Sequence, residues 1–213
     1  MKAIWIEITG LDGSGKTTFK NELFNYLKKE QKKVHQFRMP YNDFVLPALN
    51  VSGNGKPLAD NYTDQLIFAL DYRLTNYKII QWKKEYEVII SQRGIIDAYV
   101  HGVVRGFGYD QISELLKIKE LEMPTIVIHM NANPTVAFNR IKNDINADKF
   151  ETEEYINEQY LMTEKVYQDI IKSSEKLEFV QNAKHIYIDT TNITTEECFN
   201  NLIVQIEKII NND

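Results

Sequence analysis

The stretch ITGLDGSGKTTF, residues 8 to 19, constrains this chain more than any other. It contains Gly10-x-x-x-x-Gly15-Lys16-Thr17, and Gly10, Gly13 and Gly15 permit the positive φ values that turn successive backbone N–H groups inward as an anion nest. An apolar run, Ala3–Thr9, leads into the loop, and KTTFKNELFNYLKK continues beyond it as a helix with Phe19, Leu23 and Leu27 on one face. That helix adds its positive dipole end. The match alone arises by chance in roughly one chain of this length in a hundred, judging from average residue usage. With strand and helix in place, the competing reading, a glycine-rich turn with a solvated lysine, is much weaker. Gly10, Gly13, Ser14, Gly15, Lys16, Thr17 and Thr18 are therefore expected to bind a nucleoside triphosphate, ATP, as its Mg²⁺ complex. Lys16 would reach the β- and γ-phosphates and the Thr17 hydroxyl would hold the metal. A second glycine-containing segment, VSGNGKPLADN at residues 51 to 61, follows no clear strand and is interrupted by Pro57, so it reads as a loop.

Five apolar, β-branched runs read as strands: Ala3–Thr9, Val34–Arg38, Glu87–Ser91, Thr125–Met130 and His185–Asp189. EVII and TIVIHM are nearly continuous rather than alternating, as strands covered on both faces should be. Helical patterns lie between them. Residues 63 to 80 place Leu66, Ile67, Leu70, Leu74 and Tyr77 on one stripe. NPTVAFNRI puts Asn133 at a cap and Pro134 at the first helical position, and TTEECFNNLIVQIEKII opens with a capping box from Thr194 to Glu197. The alternation predicts an α/β fold, a central five-stranded parallel sheet with helices on both faces, as one domain over residues 1–213.

Composition matters for what it excludes. A 43% hydrophobic, 26% charged chain is that of a globular fold, and a net charge of −5 gives no support to a nucleic-acid surface. There is no 18-residue apolar run and no cleavable leader pattern at MKAIWIEITG, so no membrane association and a cytoplasmic setting are expected. The single cysteine, Cys198, sits in a helical pattern and reads as a structural thiol.

Other segments, together with the loop, resemble the thymidylate kinase family of nucleoside monophosphate kinases over almost the whole chain. FRMP (Phe37–Pro40) is similar to the segment that approaches the acceptor monophosphate, and LIFALDYR (Leu66–Arg73) to the helix lining the acceptor pocket. VIISQRGIIDAY (Val88–Tyr99) resembles the strand-three motif D-R-Y-x-x-S, and NADKFETEEYINEQY resembles the lid, placed at about residues 140–155. The resemblance implies a P-loop kinase fold and transfer of a phosphoryl group from ATP to a nucleoside 5′-monophosphate, thymidylate first. It also implies a homodimer, with FALDYRLTNYKII as the interface helix, although that stripe suits the core equally. The implied substrate residues are Asp12 at the sugar 3′-hydroxyl, Arg38 and Arg93 at the acceptor phosphate, and Tyr72, Arg73, Gln92 and Asp97 around the acceptor. Arg93, at a strand's carboxyl end, also fits where open α/β sheets bind ligands. Gly13 stands where one subgroup of the family has arginine, so the catalytic cations beside Lys16 and Arg93 are expected in the lid: Arg140, Lys142 and Lys149.

The chain departs from the pattern around the acceptor. Gln92 replaces the motif aspartate, Asp97 its serine, Tyr72 the acceptor-helix arginine, Lys149 the lid arginine, and Thr9 the glutamate before the loop glycine. Arg73 follows Tyr72, but one helical residue turns a side chain by about 100°. Asp97 accepts hydrogen bonds only, which favours a base edge rich in N–H donors. His101 either touches the base or packs. A deoxynucleoside kinase is the nearest alternative, weakened because Gln92 cannot act as a base. A nucleotide-binding protein of this fold that lacks transfer activity is another.

Overall fold

A computed structural model describes residues 3–43, 45, 48, 60–142, 152–172, 177 and 180–210. The strands β1 (Ile4–Gly10), β2 (Val34–Arg38), β3 (Val88–Gln92), β4 (Ile126–Asn131) and β5 (Lys184–Asp189) form one parallel sheet in the order β2-β3-β1-β4-β5. Each lies within one residue of the run expected from sequence. β1 is central, with Ile6 opposite Ile90 on β3 and Ile126 on β4.

Helices α1 (Lys16–Lys29), α2 (Asn61–Glu85), α3 (Ile95–Val104), α4 (Tyr109–Leu116), α5 (Pro134–Ile141), α6 (Glu153–Ile171) and α7 (Thr195–Ile210) cover both faces. The two-residue period of β1 divides the core. Ile4, Ile6 and Ile8 pack against Phe19 and Leu23 of α1 and Leu202 and Ile206 of α7. Trp5 faces the other way, in a cluster with Tyr72 of α2, Tyr99 of α3, Ile112 of α4 and Val166 of α6. Each such aliphatic side chain removed from water contributes about 1.5–3 kcal/mol. The caps form as expected: Asn133 accepts the Thr135 and Val136 N–H groups, while Thr194 and Glu197 each accept the other's backbone N–H.

Helix α2 differs from its sequence pattern. Its buried side carries Asp64, Gln65, Ala69, Asp71, Tyr72, Thr75, Asn76 and Ile79. The expected apolar stripe points outward instead, with Leu66 42%, Leu70 47% and Tyr77 64% exposed. The buried polar groups are tolerated because they are bonded. Asp71 accepts the backbone N–H groups of Tyr41 and Asn42, and Asn76 accepts that of Glu122. Among the described residues, no helix is long and apolar enough to cross a membrane.

Candidate active site

The carboxyl ends of β1, β2, β3 and β4 open into a cleft of about 840 Å³ lined by the 12–19 loop, Arg38, Gln92, Arg93, Arg140 and Thr190. Gly10, Gly13 and Gly15 take φ values of 125°, 82° and 93°. Gly13 also has no room for a side chain, because a Cβ would stand 2.3 Å from the Ala137 carbonyl oxygen in α5.

Lys16 is folded onto its own loop. Its Nζ donates to the carbonyls of Gly10 (2.7 Å) and Leu11 (2.8 Å) and to Asp12 Oδ1 (3.1 Å). Asp12 also accepts from Arg93 Nη2, at 2.8 and 3.0 Å to its two oxygens. Gln159 of α6 closes the knot, donating weakly to Asp12 Oδ2 at 3.4 Å and accepting the Asp12 backbone N–H. Burial opposes ionisation of Asp12, but Arg93 and Lys16 outweigh it and hold the carboxyl well below its usual range. Burial lowers the Lys16 ammonium, partly offset by Asp12. Arg93 itself lies in the left-handed region, φ 66°, held there by a hydrogen bond from its N–H to the Ile8 carbonyl. A non-glycine residue in that region signals a constraint that the surroundings enforce.

The neighbouring Gln92 donates from Nε2 to the Thr17 hydroxyl at 2.9 Å, and its buried Oε1 has no partner. A hydroxyl and an orphaned amide oxygen side by side at the loop are the hard oxygen donors that suit magnesium, which keeps most of its own waters. Arg38, at the end of β2, pairs in register with Gln92 and lines the same cleft.

Beneath these groups lies a carboxyl pair that the motifs do not announce. Glu7 of β1 is fully buried and accepts the N–H groups of Ile95 and Ile96 at the start of α3, each at 3.0 Å. Burial, then the nearby Asp97, raises its carboxyl to about 8. Asp97 accepts the Gly94 N–H at 3.1 Å, and its own raised pKa comes from burial, tempered by Lys16 and Arg93. Asp97 thus sits at the phosphate end of the site. The signal for Glu7 was present in IWIEITG, since a carboxylate inside a buried strand must find donors.

The remaining expected residues are dispersed. The Tyr72 hydroxyl donates to the Gly94 carbonyl, and Tyr72 packs in the core. Arg73 turns outward to the Leu116 carbonyl and Glu120, as the 100° offset requires. Arg140 donates to the carbonyls of Gly13 (3.3 Å) and Thr190 (2.8 Å), beside the loop. Lys142 is exposed and bonded to Asn139. Lys149, the core of the expected lid, and nearly all of the 51–61 segment lie outside the described residues. His101 is bonded through Nδ1 to the Tyr155 hydroxyl of α6 at 3.2 Å, and burial followed by Arg93 and Arg105 pushes it down to about 3. It is a neutral group between the knot and α6. Cys198 is buried and free, at the rim of the cleft.

A comparison with family models matches residues 8–192 to the family described as thymidylate kinase. Curated relatives include a thymidylate kinase from Caldicellulosiruptor saccharolyticus, 32% identical over 162 residues, covering 73% of this chain and 77% of that protein. A thymidylate kinase from Bacillus mycoides is 26% identical over 149 residues, covering 68% of this chain and 72% of the relative.

Proposed function

The chain belongs to the thymidylate kinase family and is a nucleoside monophosphate kinase, and from that premise we propose that it transfers the γ-phosphoryl group of ATP to a (deoxy)nucleoside 5′-monophosphate, thymidylate foremost. One terminal oxygen of the acceptor phosphate bonds to the γ-phosphorus as the bond to the β–γ bridging oxygen breaks, giving a diphosphate and ADP. The observation that carries this reading is the placement of two cations, Lys16 and Arg93, on opposite sides of one carboxylate, Asp12. Lys16 belongs to the triphosphate loop and Arg93 to the neighbouring strand end, so the two phosphates meet where the cations already do. Phosphoryl transfer needs little covalent help, and positioning together with charge stabilisation supplies most of the catalysis.

In this reading the nest of Gly13 and Gly15 and the α1 amino terminus hold the triphosphate, and Lys16 leaves its carbonyls to meet it. Mg²⁺, when bound, adds positive charge to the β- and γ-phosphate oxygens. Thr17 would hold it, and Gln92 would orient Thr17 while offering Oε1 to a metal-bound water. Arg93 and Arg38 receive the acceptor dianion, and Asp12, relieved of Arg93, turns to the sugar 3′-hydroxyl. Arg140, Lys142 and Lys149 are the lid cations assigned to the transition state. A cytoplasmic homodimer completes the proposal, because the outward stripe of α2, with Leu66, Leu70 and Tyr77, gives a second copy an apolar surface to cover.

The test is a steady-state comparison of thymidine with thymidylate, alongside the other deoxynucleosides and their monophosphates, following ADP release. Monophosphates are expected to be turned over and nucleosides not. A preference for any unphosphorylated nucleoside overturns the assignment.

A further inference from the structure

Away from the phosphates, α2 and α3 bring together a second set of groups that the family motifs do not account for. Arg105 caps the carboxyl end of α3, and its guanidinium lies over the Phe68 ring of α2, 4.7 Å from the centroid. Its Nη1 donates to the His101 carbonyl at 3.2 Å and, at 3.4 Å, to the side-chain oxygen of Gln65, one helical turn before Phe68. Among the described residues no carboxylate lies within ion-pair distance of Arg105. Its Nε and Nη2 make no hydrogen bond to a described residue.

Gln65 is 1% exposed. Arginine has no acceptor, so the contact with Arg105 fixes the orientation of the Gln65 amide: oxygen towards the guanidinium, Nε2 away from it. That NH₂ group makes no hydrogen bond to another described residue. Helix α3 passes close over it at Gly102, where a Cβ would stand 3.2 Å from Gln65 Nε2. Arg105 and Gln65 together therefore present N–H donors with no free acceptor between them. Beside them is a flat surface, the Phe68 ring and the guanidinium, of the kind on which bases stack.

This cluster connects to the phosphate end through His101, which lies between Arg105 and Arg93 and feels the charge of both. Tyr155, bonded to His101, likewise feels Asp12, Arg93 and Arg105. Phosphate cation, sugar-facing carboxylate and donor-rich flat surface thus follow one another along the site. That is the order of groups in a nucleotide.

The geometry points to Arg105, supported by Gln65, as the residue that selects the acceptor base, favouring bases whose edge offers carbonyl oxygens (thymine, uracil, guanine) over those that offer an amino group there (cytosine, adenine). The inference rests on the acceptor being a nucleoside monophosphate, as proposed above. It also moves base selection from Asp97, which is occupied by Gly94 at the phosphate end, to the far end of α3. An arginine that reaches two acceptors on one base edge discriminates strongly against a base that lacks them.

The test measures kcat/KM for thymidylate, deoxyuridylate, deoxyguanylate, deoxycytidylate and deoxyadenylate in the full-length wild type and in Arg105→Ala and Gln65→Leu. The affinity for a non-hydrolysable ATP analogue is measured in parallel as a check on folding. The wild type is expected to favour the carbonyl-bearing set. In Arg105→Ala that preference should shrink by about tenfold or more, with ATP-analogue affinity unchanged, and in Gln65→Leu by a smaller factor. A purely structural role would depress all five acceptors together and leave their ratios unmoved, and that result overturns the assignment. So does a wild type that prefers deoxycytidylate or deoxyadenylate. If no monophosphate is turned over while nucleosides are, the parent proposal falls. If monophosphates are turned over with ratios insensitive to Arg105, only this one does.

Discussion

Arg93 Nη2 reaches both carboxylate oxygens of Asp12, at 2.8 and 3.0 Å, while Lys16 shares one of them at 3.1 Å. One negative charge is therefore divided between two cations from different parts of the chain. The excess positive charge faces the cleft, where two polyanions must meet.

Replacing Lys16 by methionine keeps the length of the side chain and removes the charge. Because the ammonium is buried at a desolvation cost, the fold is expected to survive, with a melting temperature within a few degrees of wild type. ATP-dependent transfer should fall by about 10³-fold or more. Calorimetry and ADP release on the same preparation check both halves.

Arg93→Ala should raise the acceptor KM and lower kcat, together reducing kcat/KM by about 10²–10³, the scale of losing a positioned cation. ATP affinity should stay within a few fold, since the donor phosphates rest on the loop. Arg93→Gly should be more stable than Arg93→Ala by about 1 kcal/mol, because glycine accepts φ 66° without strain. Denaturant melts of the pair measure that difference.

Gly94 has an extended backbone, and its requirement is one of space. An added Cβ would stand 2.2 Å from Glu7 Cδ. Gly94→Ala should therefore destabilise the protein by about 1–3 kcal/mol. The loss should be less than additive with Glu7→Ser, which makes room but leaves the Ile95 and Ile96 N–H groups unpaired. A double-mutant cycle in urea gives the coupling.

The pH dependence of stability follows from groups held neutral. His101 and His129, both pushed to about 3 chiefly by burial, stay uncharged in the fold, whereas the unfolded chain protonates them below about 6.5. Each lowers stability by about 1.4 kcal/mol per pH unit as pH falls from 6.5 towards 3. Neutrality of His129 is built into a relay. Its Nε2 meets His185 Nδ1 at 2.8 Å, and His185 Nε2 donates to the Val180 carbonyl, so His129 Nε2 must be the donor. Glu7, raised to about 8, acts in the opposite sense, and its contribution declines as pH rises from 4.5 to 8. Stability should therefore peak near pH 6.5, with the acid limb steepening below 4.5, where Glu7 no longer offsets the histidines. Glu7→Gln should flatten the alkaline limb, as read from melting temperature against pH.

For the lid, Arg140→Ala is expected to cut kcat by about 10³-fold. Arg140→Lys should recover only part of this, because a lysine cannot span both the Gly13 and Thr190 carbonyls. If alanine at Arg140, Lys142 and Lys149 together left kcat unchanged, the lid would not supply the cations.

The strands were legible because β-branched runs such as EVII and TIVIHM have few alternatives once buried on both faces. The caps were legible because Thr194–Glu197 and Asn133–Pro134 act over three residues or fewer. Helix α2 was misread because periodicity marks an apolar stripe without saying what covers it. Its inward face is polar, satisfied by Tyr41, Asn42 and Glu122, partners remote in sequence. The same remoteness hid the contacts from Gln159 to Asp12, 147 residues apart, and from Arg105 to Phe68. A single sequence carries no signal for pairings of that range unless a motif happens to encode them.

The carbonyl of Ala137 pressed against Gly13 has an evolutionary reading. No side chain can be introduced at position 13 by a single substitution, because α5 would first have to move away. Moving α5 would in turn carry Arg140 off the loop it now touches. A lineage with this packing cannot drift gradually towards an arginine in the loop, since every intermediate would lack a cation from both sources. The two ways of supplying charge exclude one another sterically, and the helix seated on Gly13 makes the choice heritable.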